Sequence, residues 1–344
     1  MKTIISIFSF VILVSITCSV KAQSSNYKIA NKWSIPGEGG WDLLTTDDAA
    51  NRLYISHGTM VQAIDCNTGA VLGTISDLKG VHGVAVASRY NKGFISCGRD
   101  TSVVVFNLKT FEITDRIKIT GVNPDAIIYD PYSKNVYDFN GGSSDISVIS
   151  AKSNKVIKTI SLDGKPELPV TDGRGKIYFN LEDKSEISSI STKSLKVIKT
   201  WSIAPGEEPT GLAIDTKKNR LFSVCSNNLM VVSNAKSGSV VTTLPIGKGP
   251  DGADFDPKLK RAYSSNGDGT LTVVQSGTKD NYTVLENFPT QKGARTIAVN
   301  KKTHHIYMPA AEYDPAPEKT ADNPNPRPKI RPGSFVILDV EPVK

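Results

Sequence analysis

An aromatic residue returns along this chain at a nearly constant interval: Tyr54, Phe94, Tyr137, Tyr178, Phe222, Tyr263 and Tyr307, spaced by 40, 43, 41, 44, 41 and 44 residues. Each stands in a short apolar run that follows a turn, as in Asn51-Arg-Leu-Tyr54-Ile-Ser56 and Asn219-Arg-Leu-Phe222-Ser-Val224. A second run lies upstream of the aromatic, such as Gly83-Val-Ala-Val86 or Gly211-Leu-Ala-Ile214. A third lies downstream, such as Val103-Val-Val-Phe106 or Ile146-Ser-Val-Ile149, and a fourth follows another turn, such as Val71-Leu-Gly-Thr-Ile75 or Val156-Ile-Lys-Thr-Ile160. Short β-branched runs punctuated by Gly, Asn and Asp are strands. Four of them per repeat of this length, with no helical periodicity between, predict an all-β chain folded as a seven-bladed β-propeller.

The repeats open near Asp42, His82, Asp125, Glu167, Thr210, Asp251 and Arg295, and the last holds only three strands. The missing strand is at the other end of the chain. Lys28-Ile-Ala-Asn-Lys-Trp-Ser-Ile35-Pro-Gly-Glu38 matches Lys196-Val-Ile-Lys-Thr-Trp-Ser-Ile203-Ala-Pro-Gly-Glu207, the fourth strand of the fourth repeat. A closing strand over 28–35 is therefore predicted to pair into the last blade and complete the ring, which removes exposed sheet edges. Residues 23–344 then form one propeller, interrupted by a Pro-rich insertion over 310–333.

Residues 1–22 read as a secretory leader, with Lys2 ahead of an apolar run and Val20-Lys-Ala22 as a cleavage site. The expected location is the periplasm or outside the cell. Cys18 follows Ser15-Ile-Thr17, a poor lipidation sequence, and no other stretch is apolar enough to span a bilayer. The mature chain keeps Cys66, Cys97 and Cys225, read as small buried residues rather than disulfide partners. The formal charge of +7 falls to +5 once Lys2 and Lys21 leave with the leader. Much of it sits in turns that antiparallel order places on one face, including Lys92, Lys134, Lys217, Lys218, Arg220, Lys258, Arg261 and Lys302. Solvated turns explain these residues best. Docking to nucleic acid or to an anionic envelope surface ranks below that, because no aromatics interleave the charges.

The opposite face collects the starts of first strands and the ends of second strands around the channel mouth. It is the default ligand site of a concave scaffold. It gathers Asp42, His57, His82, Arg99, Asp100, Asp125, Asn140, Glu167, Asn180, Thr210, Asp251, Asn266 and Arg295. Asp42, His57 and His82 make a candidate metal set on neighbouring blades, suited to Zn²⁺ or Fe²⁺, although polar groups binding loop backbone explain the same residues. Asp125, Glu167 and Asp251 offer carboxyl groups for acid–base work, against the simpler role of capping turns. The insertion, with Arg327, Lys329 and Arg331, is expected to emerge over this mouth.

The pattern Asp-x-x-x-Asn51-Arg-Leu-Tyr54-Ile-Ser, with a Val-rich third strand and a Thr68-Gly-x-Val turn, resembles the YncE-like, YVTN-type β-propeller family over essentially the whole mature chain. The resemblance implies the propeller fold and little about activity, since relatives include nucleic-acid-binding and lactonase- or lyase-like proteins. The leading expectation is a monomeric binding module that takes a small molecule, peptide or protein partner at the funnel. A metal-assisted hydrolase or lyase at the same funnel is the alternative, and docking through the basic face is a second.

Overall fold

The structure is a computed structural model that describes residues 25–318, 320, 323, 324, 326 and 328–343; residues 1–22, read above as a leader with Cys18 among them, and Arg327 lie outside them. Seven four-stranded antiparallel sheets make up the ring. Blades 1 to 6 span 41–75, 81–118, 124–161, 166–202, 209–245 and 250–289, each with its strands in chain order from the channel outward. Blade 7 takes its three inner strands from Ala298–Val299, Ile306–Ala310 and Val336–Pro342, and its outer strand from Tyr27–Ser34. That outer strand runs antiparallel to the C-terminal one from Tyr27 opposite Pro342 to Ser34 opposite Val336. The two ends of the chain therefore close the ring, as the sequence match predicts.

The repeating aromatic explains why the blades stack. Each of the seven is at most 3 % exposed, and each falls in a different hydrophobic cluster. Every cluster joins two neighbouring blades: Tyr54 packs with Ile95, Val104 and Phe106 of blade 2, and Tyr307 packs with Leu53 and Ile55 of blade 1. The core is thus seven interfaces arranged in a circle. Removing one blade would expose two of them.

Four basic residues read as solvated turns, Lys92, Lys218, Arg220 and Arg261, fasten these interfaces on the face opposite the mouth, together with Arg52. Arg52 donates to the Leu108 carbonyl, and Lys92 donates to the carbonyls of Ala151 and Lys152. Lys218 donates to the Ser276 hydroxyl, and Arg220 pairs with Asp280 at 2.7 Å. Each reaches into the next blade's turn between third and fourth strands. The corresponding Arg261 donates to the Tyr27 hydroxyl at 2.7 Å, which in turn lies 3.0 Å from the Tyr263 hydroxyl. In this way the closing strand is held by side chains as well as by its ladder.

The three cysteines are buried and free, in agreement with their reading as packing residues. Burial pushes the Cys97 and Cys225 thiols up to about 11 and about 12, so both stay protonated and unreactive at neutral pH.

The Tyr27 contacts predict how much the closure contributes. Tyr27→Phe removes one hydroxyl from a buried network and is expected to cost about 1–2 kcal/mol. Tyr27→Ala also leaves a cavity and is expected to cost about 3–5 kcal/mol. Urea unfolding followed by tryptophan fluorescence checks both values and their order.

Candidate functional site

The mouth of the channel is built by a defect repeated in the inner strands. In blades 1 to 5 the first residue of the inner strand pairs with the last residue of the second strand, and the ladder resumes three residues later. Trp41 faces His57 and the next pair is Leu44 with Ile55; Pro124 faces Asn140 and the next is Ile127 with Asp138. Blade 6 carries a similar shift between Pro250 and Gly252. These are β-bulges, which bend a strand and re-aim its side chains. The residue that each bulge turns toward the mouth is Asp42, His82, Asp125, Glu167, Thr210 or Asp251, all partly exposed. Four of them follow a proline (Pro124, Pro166, Pro209 and Pro250) that sits buried at the strand's first position, where a missing N–H is tolerated.

Backbone groups freed by the bulges are satisfied by short polar side chains in the second strands. The Ser56 hydroxyl accepts from the Asp42 N–H and donates to the Leu43 carbonyl. Ser96 accepts from the Gly83 N–H and donates to the Asp125 carbonyl of the next blade. Asn180 donates to the carbonyls of Thr210 and Gly211, and Ser265 donates to those of Gly252 and Arg295. Blade 7 lacks a long inner ladder, and its approach is held instead by this Ser265 bond and by the Thr296 hydroxyl donating to the Asp42 carbonyl at 2.8 Å.

The predicted site residues therefore divide. Asp42, His82 and Asp125 come together across blades 1, 2 and 3, with one donor atom from each within 4.8 Å of the others. His82 Nδ1 lies 2.6 Å from Asp42 Oδ2 and 3.5 Å from Asp125 Oδ1. Glu167 pairs with Lys165 at 2.8 Å, Lys165 also pairs with Glu182, and Arg295 pairs with Asp251. His57 is not part of this group. Its ring is fully buried against Phe335 at 4.3 Å between centroids, and its Nδ1 is 2.9 Å from Gln62 Oε1. Gln62 spends its amide N–H on the Pro36 carbonyl, so Oε1 accepts and the His57 proton is on Nδ1. Asn140 is also buried, donating to Asp145 and Ser147, as is Asn266, donating to Thr270 and Thr272. The Thr210 hydroxyl donates to the Pro250 carbonyl, and Asp100 accepts from Ser102. Arg99 lies over Gly80, at whose position any Cβ would meet the arginine side chain. Lys165 and Glu182 belong to the mouth and were not among the predicted residues. Glu182 lies just past the second strand of blade 4, in a turn whose direction the repeat pattern does not reveal.

Beneath the mouth runs an axial cavity of about 430 Å³. Leu43, Ile127, Leu168, Leu212 and Ile297 line it, and Asp254 and Lys301, 3.1 Å apart, line its far end. Leu43, carried by blade 1, packs with Leu168 against the core of blades 3 and 4. Aliphatic side chains thus form much of the lining beneath the rim.

That setting explains the acidities. Burial pushes Asp125 above its ordinary value despite the His82 charge. Burial pushes Asp251 up to about 6 although Arg295 opposes it, and Glu167 up to about 8 although Lys165 opposes it. For His82, burial acts downward, but the hydrogen bond to Asp42 and the charges of Asp125 and Asp42 outweigh it and hold the imidazole above its ordinary value. Five carboxyl groups (Asp42, Asp125, Glu167, Glu182 and Asp251) thus share the rim with three close cationic partners (His82, Lys165 and Arg295). Arg99 acts on His82 from farther off, and the raised Glu167 and Asp251 hold part of the excess as protonated carboxyls.

The base of the Pro-rich insertion is pinned beside this rim. Tyr313 and Ile330 form an isolated bridge, Tyr313 lies 6.3 Å from Trp41 between ring centroids, and Arg331 pairs with Glu312 and Asp314. The Arg331 charge is therefore spent within the insertion.

Many solved structures share this architecture. A chain of hydrazine synthase from Kuenenia stuttgartiensis superposes with a TM-score of 0.68 at 18 % identity, covering 80 % of this chain and 94 % of that one. The structure of U3-55K superposes with a TM-score of 0.74 at 7 % identity, covering 91 % and 98 %. The fold is a seven-bladed β-propeller. At these identities the likeness extends to the fold alone. No known family matches the chain, and no curated protein does. No helix among the described residues is long and apolar enough to cross a membrane.

The raised Glu167 predicts a pH dependence. Its carboxyl moves from an ordinary 4.5 to about 8, so the folded state binds more protons than the unfolded state across that window. Stability from this group is therefore full below the lower value and falls as pH rises, by at most about 1.4 kcal/mol per pH unit. Glu167→Gln is expected to flatten the slope, matching the wild type near pH 4 and exceeding it at pH 8. Denaturant midpoints at several pH values check this.

Proposed function

We propose that this protein is a binding module that captures a small cationic ligand, or a cationic side chain or end of a peptide, at the mouth of its channel. One observation carries the reading: five of the six bulges turn ionisable side chains toward one partly exposed mouth lined below by aliphatic residues, and the carboxyl groups there outnumber the cationic groups in contact with them. Desolvated carboxylates of this kind gain most from an incoming cation, which replaces lost hydration and relieves mutual repulsion. The site is concave and formed by sheet backbone, so little ordering opposes binding.

The leader-like residues 1–22 place this activity outside the cytoplasm on our reading, and the repeat texture supports kinship with YncE-like propellers. The observations favour the mouth over the basic face as the working surface, because Arg52, Lys92, Lys218, Arg220 and Arg261 on that face are engaged between blades.

A matched panel of dipeptides tests the proposal: Lys-Gly, Arg-Gly and Gly-Lys against Glu-Gly and Gly-Asp, each scored by thermal shift and titration calorimetry. The expected result is stabilisation by the cationic members alone, lost in Asp125→Asn/Asp251→Asn protein that keeps its native circular dichroism. Preference for the anionic members, or an equal response from the rim variant, would overturn it.

A further inference from the structure

We propose that Asp42, His82 and Asp125 form a three-ligand site for a divalent transition-metal cation, with Zn²⁺ as the reference ion. The proposal rests on the reading of the mouth as cation-seeking and names an inorganic member of that class.

The donor set is the first argument. An imidazole nitrogen and two carboxylate oxygens suit borderline and hard first-row cations, and three protein ligands leave a coordination position open to solvent or to a second molecule. Each of the three side chains is about a quarter exposed at the mouth, so an ion has an entry path. This is the layout of a site that exchanges ligands, not of a closed structural one.

Geometry is the second. Two donors on a tetrahedral ion with bonds of about 2.1 Å lie about 3.4 Å apart. Here Nδ1 of His82 is 2.6 Å from one carboxylate and 3.5 Å from the other, and the whole set lies within 4.8 Å. Seating an ion requires opening the His82–Asp42 contact by less than 1 Å, with the other donor pairs already within 4.8 Å of one another. The bulges fix the backbone that carries these groups, and Ser56 and Ser96 fix the bulges through the Asp42 N–H and the Asp125 carbonyl. Gly98 leaves the space that the imidazole occupies: a Cβ there would lie 2.7 Å from His82 Nε2.

Chemistry is the third. In the metal-free protein the proton on His82 Nδ1 sits between the two carboxylates. A divalent ion takes the place of that proton and brings one more positive charge to the two carboxylates. From an imidazolium, binding releases the Nδ1 proton to solvent while Nε2 keeps its own, forms one bond from the ion to each of the three side chains, and frees water molecules from the ion's hydration shell in exchange. His57, the other histidine read as a ligand, is sealed under Gly37 and against Phe335, so the third donor is Asp125.

The test uses mature protein stripped with chelator and titrated with ZnCl₂ by calorimetry. The account expects one Zn²⁺ per chain, with the dissociation constant raised at least tenfold in each of Asp42→Asn, His82→Gln and Asp125→Asn, all near-isosteric changes. Cobalt provides a second readout on the unaltered chain: Co²⁺ should give visible d–d bands without a thiolate charge-transfer band. No binding at millimolar Zn²⁺, affinity unchanged in the three variants, or a thiolate band would each overturn the site and leave a proton-bridged Asp42–His82–Asp125 triad. Loss of the metal site with dipeptide binding intact would overturn this inference alone; zinc binding with no dipeptide binding would restrict the mouth to inorganic cations.

Discussion

The bulge near the start of each inner strand of blades 1 to 6 is the constraint on which the working surface depends. An uninterrupted ladder would alternate its side chains between the two faces of each blade. One extra residue breaks that alternation, and the side chain at the break turns along the channel axis toward the mouth. The cost is a set of unpaired backbone groups in a buried place. Ser56, Ser96, Asn180 and Ser265 remove that cost by binding them, often across a blade boundary. Polar residues that look like site residues are thus the supports that aim the real ones.

The remainder of the ring supplies rigidity for this arrangement. Seven aromatics seed seven interfaces, and those between blades 1 and 2, 2 and 3, 5 and 6, and 6 and 7 are tied again by an arginine or lysine, the last together with the hydroxyl network of the closing strand. A site formed by six blades needs their relative positions held closely, because a small rotation of one blade separates donors that belong to different chain segments. Closure by Tyr27–Ser34 matters for the site for this reason, although the strand lies on the outer rim.

The architecture was readable in the sequence because it is periodic: the aromatic spacing and the match of 28–38 to 196–207 each report a repeated physical role. The site was readable only in part. The positions at the starts of inner strands were legible, since Asp42, His82, Asp125, Glu167 and Asp251 occupy equivalent places. What periodicity could not show was direction. His57 and Asn140 also lie at the ends of second strands, but His57 packs against Phe335 and Asn140 bonds Asp145 and Ser147 of its own blade, and both are buried. Asn180 likewise looked like a ligand group and is a backbone clamp. Asp138, in the second strand of blade 3, takes a place filled by Ile55 and Ile95 in blades 1 and 2; its fully buried carboxyl is pushed far above its ordinary value, and neither oxygen has a hydrogen-bond partner among the described residues.

The chemistry of the mouth follows from three facts acting together: carboxyl groups converge, an aliphatic floor limits their hydration, and His82, Lys165 and Arg295 compensate them incompletely. His82 reports on all three, because burial and the neighbouring carboxylates pull its acidity in opposite directions. The most direct measurement is therefore its titration by NMR in metal-free protein. The account predicts a pKa above the ordinary value of about 6.5, falling in Asp42→Asn protein. A value at or below the ordinary one, unmoved by that substitution, would mean that the rim carboxylates do not share one electrostatic site.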